Sequence, residues 1–171
     1  FAELFNAMQI GHILNKQVLI VHGGLSDRNM SIQKVNNENR FQQPSEERVI
    51  NDILWSDPMD SPGIAPSPRG VTHQFGPDVT QNVLHLNSLS HLIRSHQVQE
   101  NGYLLQHNRK CITVFSAPNY IGSMYNKGAI CNFTFGSKGE IVSGPQFITF
   151  SAEPIPRNYP PMKFSLFGGM F

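Results

Sequence analysis

The stretch Val18-Leu19-Ile20-Val21-His22-Gly23-Gly24-Leu25 constrains the fold more than any other in the chain. Four consecutive apolar, mostly β-branched residues read as a strand buried on both faces. The run then stops at a histidine and two glycines. Open α/β sheets place ligands at the carboxyl ends of such strands. Glycines at that point let the chain turn and let another group approach closely. His22 is therefore presented at the lip of a sheet, where three readings stay open: metal ligand, general acid or base, or polar strand end.

Two further apolar runs break off in the same manner. Leu89 to Arg94 ends in Ser95-His96, and Cys111 to Phe115 ends in Ser116-Ala117-Pro118-Asn119-Tyr120. If the three strands share one sheet, their polar ends meet at one site. Arg69-Gly70-Val71 adds a cation beside a glycine. Two neutral imidazoles suit a first-row divalent metal, and a guanidinium grips phosphate through two parallel hydrogen bonds. Metal and arginine together argue for phosphoryl hydrolysis. Singly, each residue has an ordinary reading. A strand-end histidine is more often a hydrogen-bonded structural residue, Arg94 an ion-paired support, and Tyr120 a packing aromatic. The combination carries the argument.

The rest of the chain reads as mixed α and β. Phe1 to Met8 has the pattern of an amphipathic helix entered partway, which points to a piece of a longer protein. A strand is predicted over Gln17 to Val21, then a polar connection over residues 27–45 with at most one short helix. Ser45-Glu46-Glu47-Arg48 has the order of an N-cap followed by first-turn acids. The helix it starts should carry Val49, Ile50, Ile53 and Leu54 inward. Prolines at 58, 62, 66 and 68 argue against regular structure in that segment. Gly76-Pro77-Asp78 opens a helix running to about Asn87. Further on, Gly128 to Phe135 and Glu140 to Phe150 flank the turn signal Gly136-Ser137-Lys138-Gly139 and read as a hairpin.

Composition narrows the function classes. A chain of 171 residues with 39% hydrophobic and 15% charged residues is globular rather than disordered. A net charge of +1 gives no electrostatic case for nucleic acid or a membrane surface. No apolar run approaches the roughly 20 residues of a membrane-spanning helix. Both cysteines, Cys111 and Cys131, sit in strand-like sequence and read as small, reduced, buried hydrophobes.

The segments VLIVHGGLS, ILWSDP, RGVTHQFGPDVT, LIRSHQV, GY and VFSAPNY, in this order and spacing, resemble the phosphoprotein phosphatases, the metal-dependent serine/threonine protein phosphatases. The likeness runs from Phe1 to about Phe150. The RSH form, the QFGPDVT segment and the ending PPMKFSLFGGMF look most like the type-5 branch. By this resemblance the fold is a metallophosphoesterase-like β-sandwich flanked by helices (α+β). Residues 1–171 are the C-terminal portion of a catalytic domain, with 152–171 as an extended tail.

The resemblance also implies roles. His22 and His96 match ligands of the second of two divalent metals, of manganese, iron or zinc type. Arg69 matches the arginine that binds the substrate phosphate, and Tyr120 the tyrosine that lines the site. Asp57 and Arg94 would support these residues from behind. His12, His73, His85, His91 and His107 match no ligand position. Ile121 stands where the family usually has cysteine. The reaction implied is direct hydrolysis of phosphoserine and phosphothreonine by a metal-activated hydroxide. The motifs GDxHG, GDxxDRG and GNHE do not occur in these residues, so upstream residues are expected to complete the site. The implied partners are phosphoprotein substrates, with neither nucleic acid nor membrane. An upstream helical-repeat domain binding chaperones, and a cytoplasmic and nuclear location, follow from the same likeness. Two rivals remain at this point. A metal-free phosphopeptide-binding module would keep Arg69 without needing both histidines, and an inactive truncated regulatory homologue would lack hydrolysis.

Overall fold

A computed structural model describes residues 1–44 and 49–154. The expected helix start at residues 45–48 and most of the expected tail (residues 155–171) lie outside the described residues. Helix α1 (Ala2–Ala7) leads into a hairpin of β1 (Gly11–Leu14) and β2 (Val18–Val21). A short helix, α2 (Ile32–Asn36), is capped by the Ser31 hydroxyl, which accepts from the Lys34 amide at 3.1 Å. Helix α3 (Val49–Trp55) follows, burying Ile50, Asn51 and Ile53. Val49 packs half-buried against the core as predicted, whereas Leu54 is only half-buried and the polar Asn51 is buried beside Ile50 and Ile53.

The proline-dense segment is not irregular. It contains β3 (Asp57–Pro58) and β4 (Ile64–Pro66), which flank β5 (His73–Phe75) in a three-stranded sheet of order β3-β5-β4. Both proline-bearing strands are outer strands, where a missing N–H costs no ladder bond on the open side. Helix α4 (Pro77–Leu86) starts as predicted. Gly76 is its N-cap and Pro77 occupies the first turn, where a missing N–H is tolerated.

Next come β6 (His91–Arg94), β7 (Tyr103–Gln106), β8 (Cys111–Val114), β9 (Gly128–Phe135) and β10 (Ile141–Phe150). The main sheet has the order β1-β2-β6-β8-β7, with β2, β6 and β8 parallel to one another. The register places Leu19, Leu92 and Cys111 side by side. One face of the sheet builds the core from Leu19, Val21, Leu92 and Cys111 against Ile53 of α3, Phe75 of β5, and Val79, Val83 and Leu84 of α4. The β9–β10 ribbon covers part of the opposite face. Tyr103 and Phe147 stack there at 3.9 Å between centroids, and His91 meets Phe133 edge-on at 5.5 Å. The Asn15 side chain donates to the Gly139 carbonyl at 2.6 Å, fixing the ribbon's turn to the β1–β2 turn.

Both cysteines are free thiols. Burial pushes Cys111 up to about 12 and half-buried Cys131 up to about 11, so neither is a thiolate at neutral pH.

Candidate metal and phosphate site

The three polar strand ends do converge, because β2, β6 and β8 are parallel neighbours in one sheet. At the end of β2 the chain packs against the last turn of α3. Gly23 and Gly24 both donate to the Ile53 carbonyl, at 2.8 and 3.1 Å. A Cβ at Gly23 would lie 2.5 Å from the backbone of Leu54 and Trp55, and one at Gly24 2.2 Å from the Phe75 ring. The two glycines are therefore a close approach of backbone to backbone and ring. They hold His22 over the sheet end.

His22 is joined to His96, which follows the neighbouring strand β6. The Ser95 amide donates to the His22 carbonyl at 3.0 Å. The imidazoles meet with His96 Nδ1 3.2 Å from His22 Nε2. Trp55 closes the other side, its ring perpendicular to His96 at 5.4 Å between centroids. The remaining nitrogen, His96 Nε2, is buried without a partner.

Electrostatics keep the pair neutral. Desolvation lowers the His96 pKa to about 4, with Arg69 adding to the effect and Asp57 opposing it. His22 is lowered by desolvation first and then by Arg94 and Arg69. Neutral imidazoles present lone pairs, which is the form a metal needs. Two nitrogens 3.2 Å apart suit one ion. At bond lengths of about 2.1 Å they would subtend about 100°, an ordinary angle between adjacent ligands. The pair thus fits a divalent cation as two of its ligands. Among the described residues no group of three or more His, Cys, Asp or Glu side chains is placed to hold one.

Asp57 organises the cationic part. Its Oδ2 accepts from Arg69 Nε at 2.7 Å and its Oδ1 from Arg94 Nη2 at 2.7 Å. The Asp57 side chain is 3% exposed and Arg94 fully buried, whereas Arg69 is 35% exposed. Arg94 spends its other donors on the Gly23 carbonyl, on Gln97 Oε1 at 2.7 Å and on Thr113 Oγ1 at 3.4 Å. Burial pulls Arg94 below the usual arginine value and Asp57 opposes that shift; the guanidinium stays charged. Arg69 is used differently. Only its Nε is engaged, so its two terminal amino groups have no partner among the described residues, and its charge helps to lower the proton affinity of both His96 and His22.

Tyr120 begins a short 3-10 turn over Tyr120–Gly122 and stands edge-on to Phe115 at 5.1 Å. With His22, Arg94, Ser95 and Val114 it lines a cleft of about 650 Å³ at the strand ends. Ile121 is 71% exposed.

The other histidines lie in the fold or on its surface. His107 Nε2 donates to the Met59 carbonyl at 2.8 Å, and its Nδ1 pairs with Thr80 Oγ1 at 2.7 Å. His73 contacts the Leu25 carbonyl at 3.1 Å and Asp52 at 3.6 Å. His12 and His85 are exposed. Gln97, adjacent to His96 in sequence, is the site contact that sequence reasoning missed, since a lone glutamine carries no chemical signal of its own.

Comparison with known proteins places this arrangement. The calcineurin-like phosphoesterase family model matches residues 1–100. A serine/threonine-protein phosphatase T of Trypanosoma brucei brucei is 46% identical over 173 residues, covering 100% of this chain and 35% of the relative. Human serine/threonine-protein phosphatase 5 is 40% identical over 166 residues, covering 96% of this chain and 32% of the relative. The chain thus spans about a third of the length of these relatives. A solved serine/threonine phosphatase from Saccharomyces cerevisiae, described as similar to human phosphatase PP5, superposes with a TM-score of 0.77. It is 32% identical, covering 91% of this chain and 50% of that one. The chain belongs to the calcineurin-like phosphoesterase family, and its relatives there include serine/threonine-protein phosphatases of the 5 and T types.

Proposed function

We propose that the chain supplies one half of the active site of a protein serine/threonine phosphatase, hydrolysing phosphoserine and phosphothreonine. The observation that carries this is the neutral His22–His96 pair, 3.2 Å between facing nitrogens, with Arg69, whose terminal amino groups have no partner among the described residues, lowering the proton affinity of both rings. A metal-free phosphopeptide module has use for Arg69 but none for two facing, deprotonated imidazoles.

In this reading His22 Nε2 and His96 Nδ1 would hold one divalent cation, of manganese, iron or zinc type. Divalent ions there would supply Lewis-acid chemistry, lowering the pKa of water toward neutrality and polarising the phosphoryl group. Arg69 receives two phosphoryl oxygens on its terminal amino groups while Asp57 fixes its Nε, so the fork is oriented before substrate arrives. That arrangement offsets charge developing on the phosphoryl oxygens. Tyr120 walls the cleft beside the phosphate. The greater length of the relatives leaves room for the remaining ligands, for the acid that protonates the leaving alkoxide, and for an upstream helical-repeat domain that binds chaperones. Phosphoproteins in the cytoplasm and nucleus are the substrates this reading assigns.

The test is made on the full-length protein. His22→Ala and His96→Ala are expected to lower bound metal, measured by inductively coupled plasma mass spectrometry, together with phosphate release from a phosphoserine peptide. A variant that keeps its metal and most of its rate makes that histidine structural and ends the proposal.

A further inference from the structure

The turn that follows β6 is held more tightly than a strand end requires. His96 has φ +66, a left-handed conformation uncommon outside glycine. Such backbone persists only where its surroundings over-determine it. The Gln97 amide donates to the Ser95 carbonyl at 2.8 Å, closing a three-residue turn with His96 at its centre. The Gln97 side chain then closes a second ring, its Oε1 accepting from Arg94 Nη1 at 2.7 Å. Arg94 is an immobile anchor for this bond. It is buried and held by Asp57 Oδ1 at 2.7 Å, by the Gly23 carbonyl and by Thr113. The residues on either side of Ser95-His96 are thereby clasped to each other.

We infer that Gln97 is a positioning residue: clasped to Arg94, it holds the His96 backbone in the left-handed form that aims Nδ1 at His22 Nε2, and so sets the affinity of the pair for a divalent cation. This rests on the metal-site reading above. Gln97 acts through the His96 backbone, since its carbonyl oxygen is already taken by Arg94. Partners of this kind, which orient a ligand without binding the metal, are typically worth about 10–100-fold in metal affinity.

The probe is Mn²⁺ alone, titrated into metal-stripped full-length protein by calorimetry, with thermal unfolding of the stripped protein alongside. Gln97→Met keeps the length of the side chain and removes the acceptor, and Gln97→Asn is one methylene too short to reach Arg94. Each is expected to weaken Mn²⁺ binding at the His96-dependent site by about tenfold or more. Gln97→Glu keeps an acceptor oxygen for Arg94 and is expected to bind nearly as the wild type does. Wild-type affinity in Gln97→Met or Gln97→Asn overturns the inference, as does a loss in Gln97→Glu equal to theirs. A fall in melting temperature with unchanged Mn²⁺ affinity also overturns it, because a merely structural residue behaves that way. His96→Ala separates the two levels of the argument. If it binds Mn²⁺ as the wild type does, the metal-site reading falls. If it loses Mn²⁺ while the Gln97 variants retain it, only the role of Gln97 falls.

Discussion

Replacing Asp57 by alanine should cost more stability than any single change at an exposed ion pair in this chain. The carboxylate is 3% exposed and Arg94 fully buried, so neither charge is solvated by water in the folded state. Removing one member of a buried pair typically costs about 3–5 kcal/mol, because the other charge is left uncompensated. Arg94 keeps acceptors on Gly23, Gln97 and Thr113, which places the loss near the lower end, about 3 kcal/mol. The bond to Arg69, 35% exposed, adds less than about 1 kcal/mol. In a domain of 150–250 residues, about 3 kcal/mol lowers Tm by roughly 6–12 °C. The assay is thermal and urea unfolding of Asp57→Ala, Arg94→Met and the double variant. The double variant should be more stable than Asp57→Ala alone, since removing both charges leaves nothing buried and unpaired. A loss below about 1 kcal/mol in Asp57→Ala, or a double variant that is the weakest of the three, refutes the reasoning.

Arg69→Lys cannot serve Asp57 and two phosphoryl oxygens at once; with charge-assisted bonds worth about 1.5–3 kcal/mol, kcat/KM should fall roughly 10–100-fold at unchanged metal content, and a fully active variant removes the phosphate clamp. Burial holds the His107 pKa below its usual value, outweighing the Met59 carbonyl and the nearby Asp60 and Asp78. The unfolded chain therefore takes up its proton first as pH falls below about 6.5. Stability should be flat above that value and drop on acidification, less steeply in His107→Gln than in the wild type; equal slopes exclude His107 as a source. Ile121 has φ +52 and is 71% exposed, a left-handed conformation that costs a β-branched residue roughly 1–2 kcal/mol. Ile121→Asn should gain up to about 1 kcal/mol in urea unfolding, and a destabilised variant would show that the strain is not relieved there.

The parallel core of the sheet is legible in the sequence because its strands are short apolar runs that end abruptly in polar residues. Burial on both faces makes those runs stand out, and adjacency in the sheet makes their ends meet. Hairpin partners are harder to read. β1 presents an almost wholly exposed pattern to solvent. Its turn uses left-handed Asn15 and Lys16, and the β7–β8 turn uses His107, Asn108 and Arg109. Without the glycines that usually mark such turns, neither hairpin announces itself. The three-stranded sheet is hidden for a different reason. Proline density argues against regular structure only for a central strand, and β3 and β4 are both outer strands of their sheet.

The candidate site divides along the same line. His22, His96, Arg69 and Tyr120 are residues whose chemistry suggests a role wherever they occur at a strand end or loop. Their supports are chosen by geometry. One Asp57 carboxylate serves two arginines, and the arginine without access to solvent orders the site. Arg94 joins the ends of β2, β6 and β8 to β3 through Gly23, Gln97, Thr113 and Asp57. The same guanidinium that closes the sheet end thus holds the Gly23 carbonyl just after His22 and the Gln97 side chain just after His96. Fold stability and ligand geometry are therefore coupled at one side chain, so a change at Arg94 or Asp57 must move both together, whereas a change at the exposed amino groups of Arg69 can move chemistry alone.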